Sequence, residues 1–329
     1  MPAGVPETAF VTGGSGFIGS RLLRRLAEGG SRVRALARSD RSAAAVESLG
    51  AEPVRGDLGD VDSMAAGAEG CDVTFHLAAN VAEWGTREEF ERANVTGTAN
   101  ALEASRGAGV RRFVHCGTEA AILAGQELDG ADESEPLRPD SPALYSATKA
   151  EAEALVRAAD GDGIETVVVR PRFVWGAGDT TLLPEIVTQV EAGRFAWIDG
   201  GAHRTSITHV GNVVEGLLAA AERGHGGEAY FVTDGEPVGF RDFISELLRT
   251  QGVEPPDRTA PGWLVGGIAR GGELAWKVLP LKGSPPLTRF AFWAASKECV
   301  LDDSKARSEL GYMPVVSHDE GLAEMAGAG

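Results

Sequence analysis

The stretch Thr12–Gly19, TGGSGFIG, decides the fold. It follows an apolar run, Ala9–Val11, that is typical of a strand, and leads into Ser20–Leu26, where leucines recur at helical spacing. Glycines in such a turn allow a tight bend, a close approach of a pyrophosphate to the backbone, and close packing of helix on strand. An ordinary glycine-rich turn is the alternative. The candidate phosphate-binding residues are Gly13, Gly16, Phe17, Ile18 and Gly19.

The first half of the chain alternates strand and helix patterns, which is typical of a parallel, doubly wound sheet. We predict an α/β, Rossmann-type domain over residues 1–175 plus about 206–234, and a smaller C-terminal substrate-binding lobe over about 176–205 plus 235–329. Predicted strands are 9–11, 32–37, 53–55, 72–77, 112–116, 166–169, 203–210 and 228–232. Predicted helices are 20–26, 41–49, 61–68, 88–106, a helix capped by Ser141-Pro142 that runs to about 159, 213–223 and 240–249. Residues 126–140 are predicted to form a loop.

Composition limits the classes of partner. The 329 residues are 43% hydrophobic and 24% charged, with a net charge of -17. This acidity disfavours nucleic acid and anionic membrane, which both need basic surface. The three cysteines are far apart, and the histidines show no metal-ligand spacing, so we predict neither a disulfide framework nor a metal site. No signal peptide or apolar stretch of about 20 residues is found, and we expect a cytoplasmic protein.

Tyr145 and Lys149 form a YxxxK pattern. On a helix, positions four apart share a face, and a lysine cation beside a tyrosine lowers the phenol's pKa. Tyrosine could then transfer a proton to or from a carbonyl/hydroxyl pair. A surface Tyr/Lys pair is the alternative. Thr118 stands at the carboxyl end of a predicted strand, where parallel sheets bind ligands, although a threonine there could equally cap a turn.

These features together resemble the extended branch of the short-chain dehydrogenase/reductase superfamily. The resemblance implies a catalytic triad in which Thr118 orients the substrate, Tyr145 transfers the proton, and Lys149 tunes Tyr145 and binds the cofactor ribose. Further stretches agree with that branch: Gly56–Leu58 (GDL), His76–Ala79 (HLAA), Asn94–Thr98 (NVTGT) and Arg170–Gly176 (RPRFVWG). They add the candidate cofactor contacts Asp57, Leu58, Ala78, Ala79, Pro171 and Val174, and the candidate substrate contacts Val81, Glu119, Trp175, His203 and Arg204.

The second half resembles the 3β-hydroxysteroid dehydrogenase-like members of this superfamily. Two stretches show this resemblance: Arg204–Val213, which contains THVGN, and Glu228–Gly235, EAYFVTDG. The resemblance implies a bulky, apolar alcohol or ketone as substrate, and a homodimer built from helices around 88–106 and 142–159. Aromatic residues between Trp263 and Trp293 fit an apolar substrate cap, or plain core packing.

The end of the second strand indicates which dinucleotide is bound. NAD-binding folds place a carboxylate there for the ribose 2′-hydroxyl, but this chain has Ala37 followed by Arg38 and Ser39. A guanidinium pairs with a 2′-phosphate, which favours NADP(H) over NAD(H). Arg41 could assist, and nearby Asp40 opposes the argument.

Three functions remain open. The first is an NADP(H)-dependent oxidoreductase that interconverts a ketone and a secondary alcohol. The second is a nucleotide-sugar epimerase or dehydratase, although Ala37 argues against tightly held NAD and Ala120 interrupts the acidic pair expected of a dehydratase. The third is a non-catalytic NADP-binding protein, which would typically lack Tyr145 or Lys149.

Overall fold

The computed structural model describes residues 3–279 and 281–327. Residues 1 and 2 of the predicted nucleotide-binding domain, and residues 280, 328 and 329 of the predicted lobe, lie outside the described residues. In chain order the strands are β1 (Thr8–Thr12), β2 (Arg32–Ala37), β3 (Glu52–Arg55), β4 (Val73–His76), β5 (Arg112–Cys116), β6 (Leu128–Ala131), β7 (Glu165–Pro171), β8 (Val174–Trp175), β9 (Trp197–Ile198), β10 (Arg204–Thr205), β11 (Thr208–His209), β12 (Glu228–Val232), β13 (Val238–Gly239), β14 (Thr259–Ala260) and β15 (Cys299–Leu301).

The α-helices alternate with the strands through the first half and cluster in the last third. They are α1 (Phe17–Glu28), α2 (Asp40–Ser48), α3 (Val61–Ala68), α4 (Arg87–Phe90), α5 (Gly97–Gly107), α6 (Leu144–Ala158), α7 (Leu182–Glu191), α8 (Val210–Arg223), α9 (Phe240–Thr250), α10 (Gly262–Val278), α11 (Arg289–Ser296), α12 (Ser304–Glu309) and α13 (His318–Gly327). A π-helical segment, Glu91–Thr96, joins α4 to α5, and short 3₁₀ turns occupy Glu119–Ile122 and Asp199–Gly201.

The main sheet has seven parallel strands in the order β3-β2-β1-β4-β5-β7-β12. The chain runs outward from β1 to β3, then returns to the other side of β1 at β4. The strand order therefore reverses between β1 and β4, and such a switch point opens a crevice at the carboxyl ends of the strands. The predicted Rossmann-type α/β fold is confirmed.

Both faces of this sheet are covered, as its apolar strands require. Leucines of α1 and α8, such as Leu22 and Leu217, fill one side, and side chains of α3 and α5, such as Met64 and Leu102, fill the other. A separate cluster around Trp197 and Phe243 forms the core of the C-terminal lobe. Among residues 3–279 and 281–327, no helix is both long and apolar enough to cross a bilayer.

Four predicted elements differ from the structure. The helix expected from Ser141-Pro142 begins at Leu144, with Ala143 at the N-cap position, because Ser141 accepts a bond from Ala143 N–H in the preceding turn. The helix over 88–106 contains the π-helical turn. The loop expected at 126–140 contains β6, which pairs with β15. The single strand expected at 203–210 is divided into β10 and β11, which join different sheets.

Candidate active site

The glycine turn after β1 touches the segment after β4. Gly13 has a φ of +74°, and a Cβ on it would lie 2.6 Å from the backbone nitrogen of Ala78. A Cβ on Gly19 would overlap the carbonyl oxygen of Gly13, so α1 packs directly on the turn. Gly16 is exposed, and its Cβ would meet only the Gly13 oxygen, at 3.3 Å.

The N-terminus of α1, where Phe17 and Ile18 lie, faces this crevice with its polar groups free. No side chain caps the helix at Gly16, and its first turn has no acidic residue. The unpaired N–H groups and the helix dipole of such an end attract an anion. The glycine turn and the N-terminus of α1 (residues 13–19), which we call the glycine cradle, therefore fit a dinucleotide pyrophosphate.

Buried His76 connects the two sides of the crevice. Its Nδ1 lies 2.8 Å from Thr12 Oγ1, and its Nε2 lies 3.0 Å from Thr98 Oγ1. Thr98 donates its own proton to the Asn94 carbonyl, which assigns the His76 proton to Nε2. Thr12 Oγ1 also accepts the Ala78 N–H at 3.3 Å, so the network fixes the position of the Ala78-Ala79 segment.

Buried histidines make the fold sensitive to acid. Burial, aided by the nearby Lys149 charge, lowers the pKa of His76 from 6.5 to about 3, and burial lowers the pKa values of His203 and His209 to about 4. Below pH 6.5 these histidines bind protons in the unfolded chain but stay neutral in the folded one. The free energy of unfolding therefore falls as the pH falls toward their pKa values in the folded protein. We expect His76→Gln to reduce this slope by about 1.4 kcal/mol per pH unit, measured by urea unfolding. The exposed His225→Gln control should keep the full slope; an equal slope in all three proteins would contradict the assignment.

The residues after β2 include an unpaired cation. Arg38 is exposed and forms no hydrogen bond or ion pair among the described residues. Ser39 caps α2 and exchanges bonds with Ser42, so its hydroxyl is already engaged. Asp40 pairs with Arg55 of β3, which neutralises the carboxylate that opposed a 2′-phosphate.

The next two candidate cofactor contacts, Asp57 and Leu58, lie in the segment that follows β3. Asp57 is exposed, and its Oδ1 accepts the Gly59 N–H at 2.7 Å. The Leu58 carbonyl accepts a bond from Asn100 at 2.8 Å. Both belong to the GDL stretch, for which the resemblance implies cofactor contacts.

Thr118 follows β5 at its carboxyl end, and Tyr145 and Lys149 lie one turn apart on α6, with the Lys149 ammonium bonded to the last residue of β5. Thr118 Oγ1 donates to Glu119 Oε2 at 2.7 Å and accepts the Ala120 N–H at 3.2 Å, so it also caps a 3₁₀ turn. Tyr145 is half-buried, and its ring packs edge-on against Phe290 at 5.3 Å between centroids. Lys149 is buried and donates to the Cys116 carbonyl at 2.9 Å.

The predicted lowering of the Tyr145 pKa is not found. Burial and the Glu119 carboxylate raise the pKa of this phenol, and a bond with Thr118 only partly offsets them. The Lys149 ammonium is directed to Cys116 and to His115 Nε2, at 3.3 Å. Burial also lowers the pKa of Lys149. Tyr145 is therefore a neutral phenol at ordinary pH, which suits a proton donor.

The sequence prediction missed two site residues. Arg172 is buried and bonds Glu119 Oε1 at 2.6 Å, which holds the carboxylate beside Thr118. Asn94, in the π-helical turn, bonds both backbone groups of Asn80 and also Thr148 of α6. The signals were present, because both residues lie in motifs quoted for the resemblance.

The structure does not gather the other candidates at one point. Trp175 is 1% exposed, and its indole N–H donates to Asp234 at 2.7 Å inside the lobe core, so we exclude it as a substrate contact. His203 stacks on Phe240. Arg204 is bound by Glu298 and Asp129. Of the other candidates, Pro171 is buried at the end of β7, Val174 is half-buried in β8, and Val81 is exposed.

A cavity of 720 Å³ lies beside Leu144, the neighbour of Tyr145. Trp84 and Trp276 contribute to its walls, together with Lys277. The two indoles offer apolar surface to a bulky ligand, whereas Arg87, Glu89 and Lys277 make another part of the wall charged.

Comparison with known proteins agrees with this arrangement. The model of the 3-beta hydroxysteroid dehydrogenase/isomerase family matches residues 10–261. A 4-hydroxy-2-methyl-3-oxo-4-farnesyl-3,4-dihydroquinoline-1-oxide ketoreductase from Stigmatella aurantiaca is 47% identical over 97% of this chain and 96% of its own. A 2-alkyl-3-oxoalkanoate reductase from Stenotrophomonas maltophilia is 35% identical over 96% of this chain and 97% of its own.

A solved structure extends the comparison to the fold. The dTDP-glucose 4,6-dehydratase of Streptomyces venezuelae, crystallised with NAD bound, aligns with a TM-score of 0.77 at 25% identity, over 98% of this chain and 96% of that one. The resemblance drawn from the motifs is confirmed. The chain belongs to the 3-beta hydroxysteroid dehydrogenase/isomerase family.

Proposed function

We propose that this chain is an NADP(H)-dependent ketoreductase that reduces a ketone on a bulky, apolar substrate to a secondary alcohol. The observation that supports the proposal best is the placement of Thr118, Tyr145 and Lys149 around the carboxyl end of β5, two strands from the strand that precedes the glycine turn. Family membership and the ketoreductase relatives support the coarser statement, an oxidoreductase acting on CH–OH or keto groups.

Each residue of the triad has a distinct task in the proposed reaction. NADPH, when bound, supplies the hydride to the carbonyl carbon. Tyr145 donates its phenolic proton to the carbonyl oxygen, and Thr118 orients that oxygen. Lys149, a buried cation, stabilises the tyrosinate left behind and binds the ribose. The raised pKa of Tyr145 keeps the proton available at neutral pH, which favours reduction over oxidation.

The preference for NADP(H) rests on Arg38. This guanidinium is exposed and unpaired within the described residues, and Ala37 leaves no carboxylate at the end of β2. The pairing of Asp40 with Arg55 removes the main objection. The cradle and the NAD-bound structural neighbour support a nicotinamide dinucleotide of either kind.

Arg38→Ala should raise KM for NADPH by at least about tenfold, because one charge-assisted phosphate contact contributes about 1.5–3 kcal/mol. KM for NADH should stay within about twofold, because no 2′-phosphate is present. Steady-state assays with both cofactors measure this. The exposed Arg24→Ala on α1 is the matched control and should change neither value. Equal losses with NADH and NADPH would contradict a 2′-phosphate contact.

The proposed substrate is an apolar ketone of the 3-oxoacyl or polycyclic kind. The indoles of Trp84 and Trp276 in the cavity beside Leu144 support this, as do the names of the two relatives. The deciding experiment follows NADPH oxidation over 2-alkyl-3-oxoalkanoates, prenylated quinolones and 3-oxosteroids. Turnover of none of these, with melting protection by a nucleotide sugar, would favour the epimerase or dehydratase alternative.

That alternative has weaker support in the site. A dehydratase needs a free acid next to the threonine, but Glu119 is bound by both Thr118 and Arg172, and Ala120 follows it. A non-catalytic NADP-binding protein would show cofactor binding without turnover of any carbonyl.

We also propose the division into a cofactor domain (1–175 plus about 206–234) and a substrate lobe (about 176–205 plus 235–329). The separate lobe core around Trp197 supports it. β6 lies within the first range yet pairs with β15 of the lobe, so the two units share one small sheet. A homodimer through α5 and α6 is the proposed assembly, and sedimentation of an α6 surface variant, Leu155→Glu, tests it.

A further inference from the structure

Helix α10 has a second apolar face that the rest of the described chain leaves uncovered. Trp263, Ile268, Leu274 and Val278 are 80%, 54%, 63% and 73% exposed. At 3.6 residues per turn they fall on one side of the helix, together with Gly267 and Gly271. Ala269 and Glu273 fall on the opposite side and are buried against the lobe. Arg270, which is also exposed, lies about 20° around the helix from Trp263 and borders this apolar stripe.

The same apolar surface continues beyond the helix. Leu279 and Leu281 follow Val278 and are also exposed. Single exposed apolar side chains are ordinary, but a contiguous set marks an interaction site. We call this surface, the exposed side of α10 with Leu279, Leu281 and Lys282, the α10 face.

The α10 face is basic in a strongly acidic protein. Residues 261–289 contain four basic residues and one acidic residue, a local charge of +3 against -17 for the whole chain, which leaves -20 for the remainder. The one acid, Glu273, is paired with Arg289 inside the lobe. Arg270, Lys277 and Lys282 are exposed, and none of them forms an ion pair within residues 3–279 and 281–327.

We propose that the α10 face docks onto the surface of a bilayer that contains anionic phospholipid. An amphipathic helix with large apolar side chains on one face and lysine or arginine at its margin binds at the headgroup boundary. Trp263 suits that boundary, and each basic residue gains from anionic lipid. Because the remaining surface is acidic, repulsion would orient the protein with only this face toward the membrane. The sequence expectation that acidity disfavours membranes holds for the average charge but not for this face.

The α10 face is close to the candidate substrate cavity, so docking would bring that cavity toward the membrane. Trp276 and Lys277, on the same helix, line the cavity that Leu144 also lines. With α10 docked, this cavity would lie one helix diameter, about 10 Å, from the lipid in which a bulky apolar ketone accumulates. This last step rests on the proposed function, whereas docking itself does not.

Vesicle flotation of the full chain tests the proposal. We expect wild-type protein to float with phosphatidylcholine vesicles that contain phosphatidylglycerol, and to do so less with phosphatidylcholine alone or at high salt. Leu274→Glu/Val278→Glu and Arg270→Glu/Lys282→Glu should each lower the bound-to-free ratio by more than about tenfold. Two controls, Met313→Glu at an exposed apolar site and Arg24→Glu at an exposed basic site, should bind as wild type does. Trp263→Phe should remove most of the blue shift in tryptophan emission on vesicle binding.

Failure to float with phosphatidylglycerol vesicles at low salt would overturn the proposal. So would equal losses in the control variants. If Leu274→Glu/Val278→Glu instead converts a dimer to a monomer on gel filtration and leaves flotation unchanged, the face joins two copies of the chain, and the proposal is wrong. Turnover of a short, water-soluble ketone should be unchanged in all these variants. Its absence from the wild type would count against the ketoreductase assignment and leave the flotation result intact.

Discussion

Tyr145→Phe should lower kcat for ketone reduction by about a thousandfold, within the range that general acid catalysis contributes. The change removes one oxygen atom and keeps the ring, which packs edge-on against Phe290. We therefore expect the affinity for NADPH and the free energy of unfolding to stay close to wild-type values. The loss should appear in kcat, because the proton transfer occurs only in the transition state.

The pH dependence of the wild-type enzyme provides a second measurement on the same residue. Because burial and Glu119 raise the pKa of Tyr145, its proton donor form persists to alkaline pH. The rate of reduction should then be level through neutral pH and fall only in the alkaline range, while alcohol oxidation, which needs the tyrosinate, should rise there. In Tyr145→Phe, the residual rates of reduction and oxidation should both lose this dependence on alkaline pH.

A control tyrosine separates this effect from general damage. The Tyr230 hydroxyl bonds Glu309 at 2.8 Å, and its strand β12 is separated from β5 by β7. Tyr230→Phe should lose about 1 kcal/mol of stability and keep its kcat. Near-wild-type turnover in Tyr145→Phe would refute the role of this residue.

Local patterns predicted the cofactor half of the site because its structure is determined locally. The bounds expected for β2, α3, β5 and β12 are those of the structure. Gly19 is required by its contact with the glycine turn itself. Gly13 is required by its contact with Leu77 and Ala78, which follow β4, the neighbour of β1 in the sheet. Such constraints act over a few residues, or between adjacent parallel strands, so spacing alone reveals them.

Long-range partners explain what the sequence did not predict. β6 forms because Cys299–Leu301 lies beside it, and nothing near residue 128 indicates that pairing. Arg172 finds Glu119 across 53 positions of the chain. Trp175 adjoins a site motif, but β8 is two residues long, too short for alternation to show that the indole enters the lobe core. The α10 face could not be predicted from the sequence, because apolar residues also occur on the side of that helix that packs against the lobe.

Lys149→Met should lower kcat/KM for NADPH-dependent reduction by at least about a hundredfold, through lost stabilisation of the tyrosinate and the lost ribose contact. Methionine keeps an unbranched chain of similar length but removes the ammonium that bonds the Cys116 carbonyl. Burying that cation costs desolvation energy, which is why the pKa of Lys149 is lowered. The free energy of unfolding should therefore stay equal or rise.

A fall in kcat/KM without a fall in the free energy of unfolding distinguishes a catalytic lysine from a structural one. If Lys149 only braced α6 against β5, Lys149→Met would lose stability while kcat persisted. Lys305→Met serves as the matched control, because Lys305 pairs with Glu228 at 2.6 Å on the surface and should alter neither stability by more than about 1 kcal/mol nor turnover. Enzyme assays and urea unfolding on the same preparations measure both quantities. A less stable Lys149→Met enzyme with wild-type turnover would leave Tyr145 without its tuning partner, and the proposed triad would then reduce to Thr118 and Tyr145.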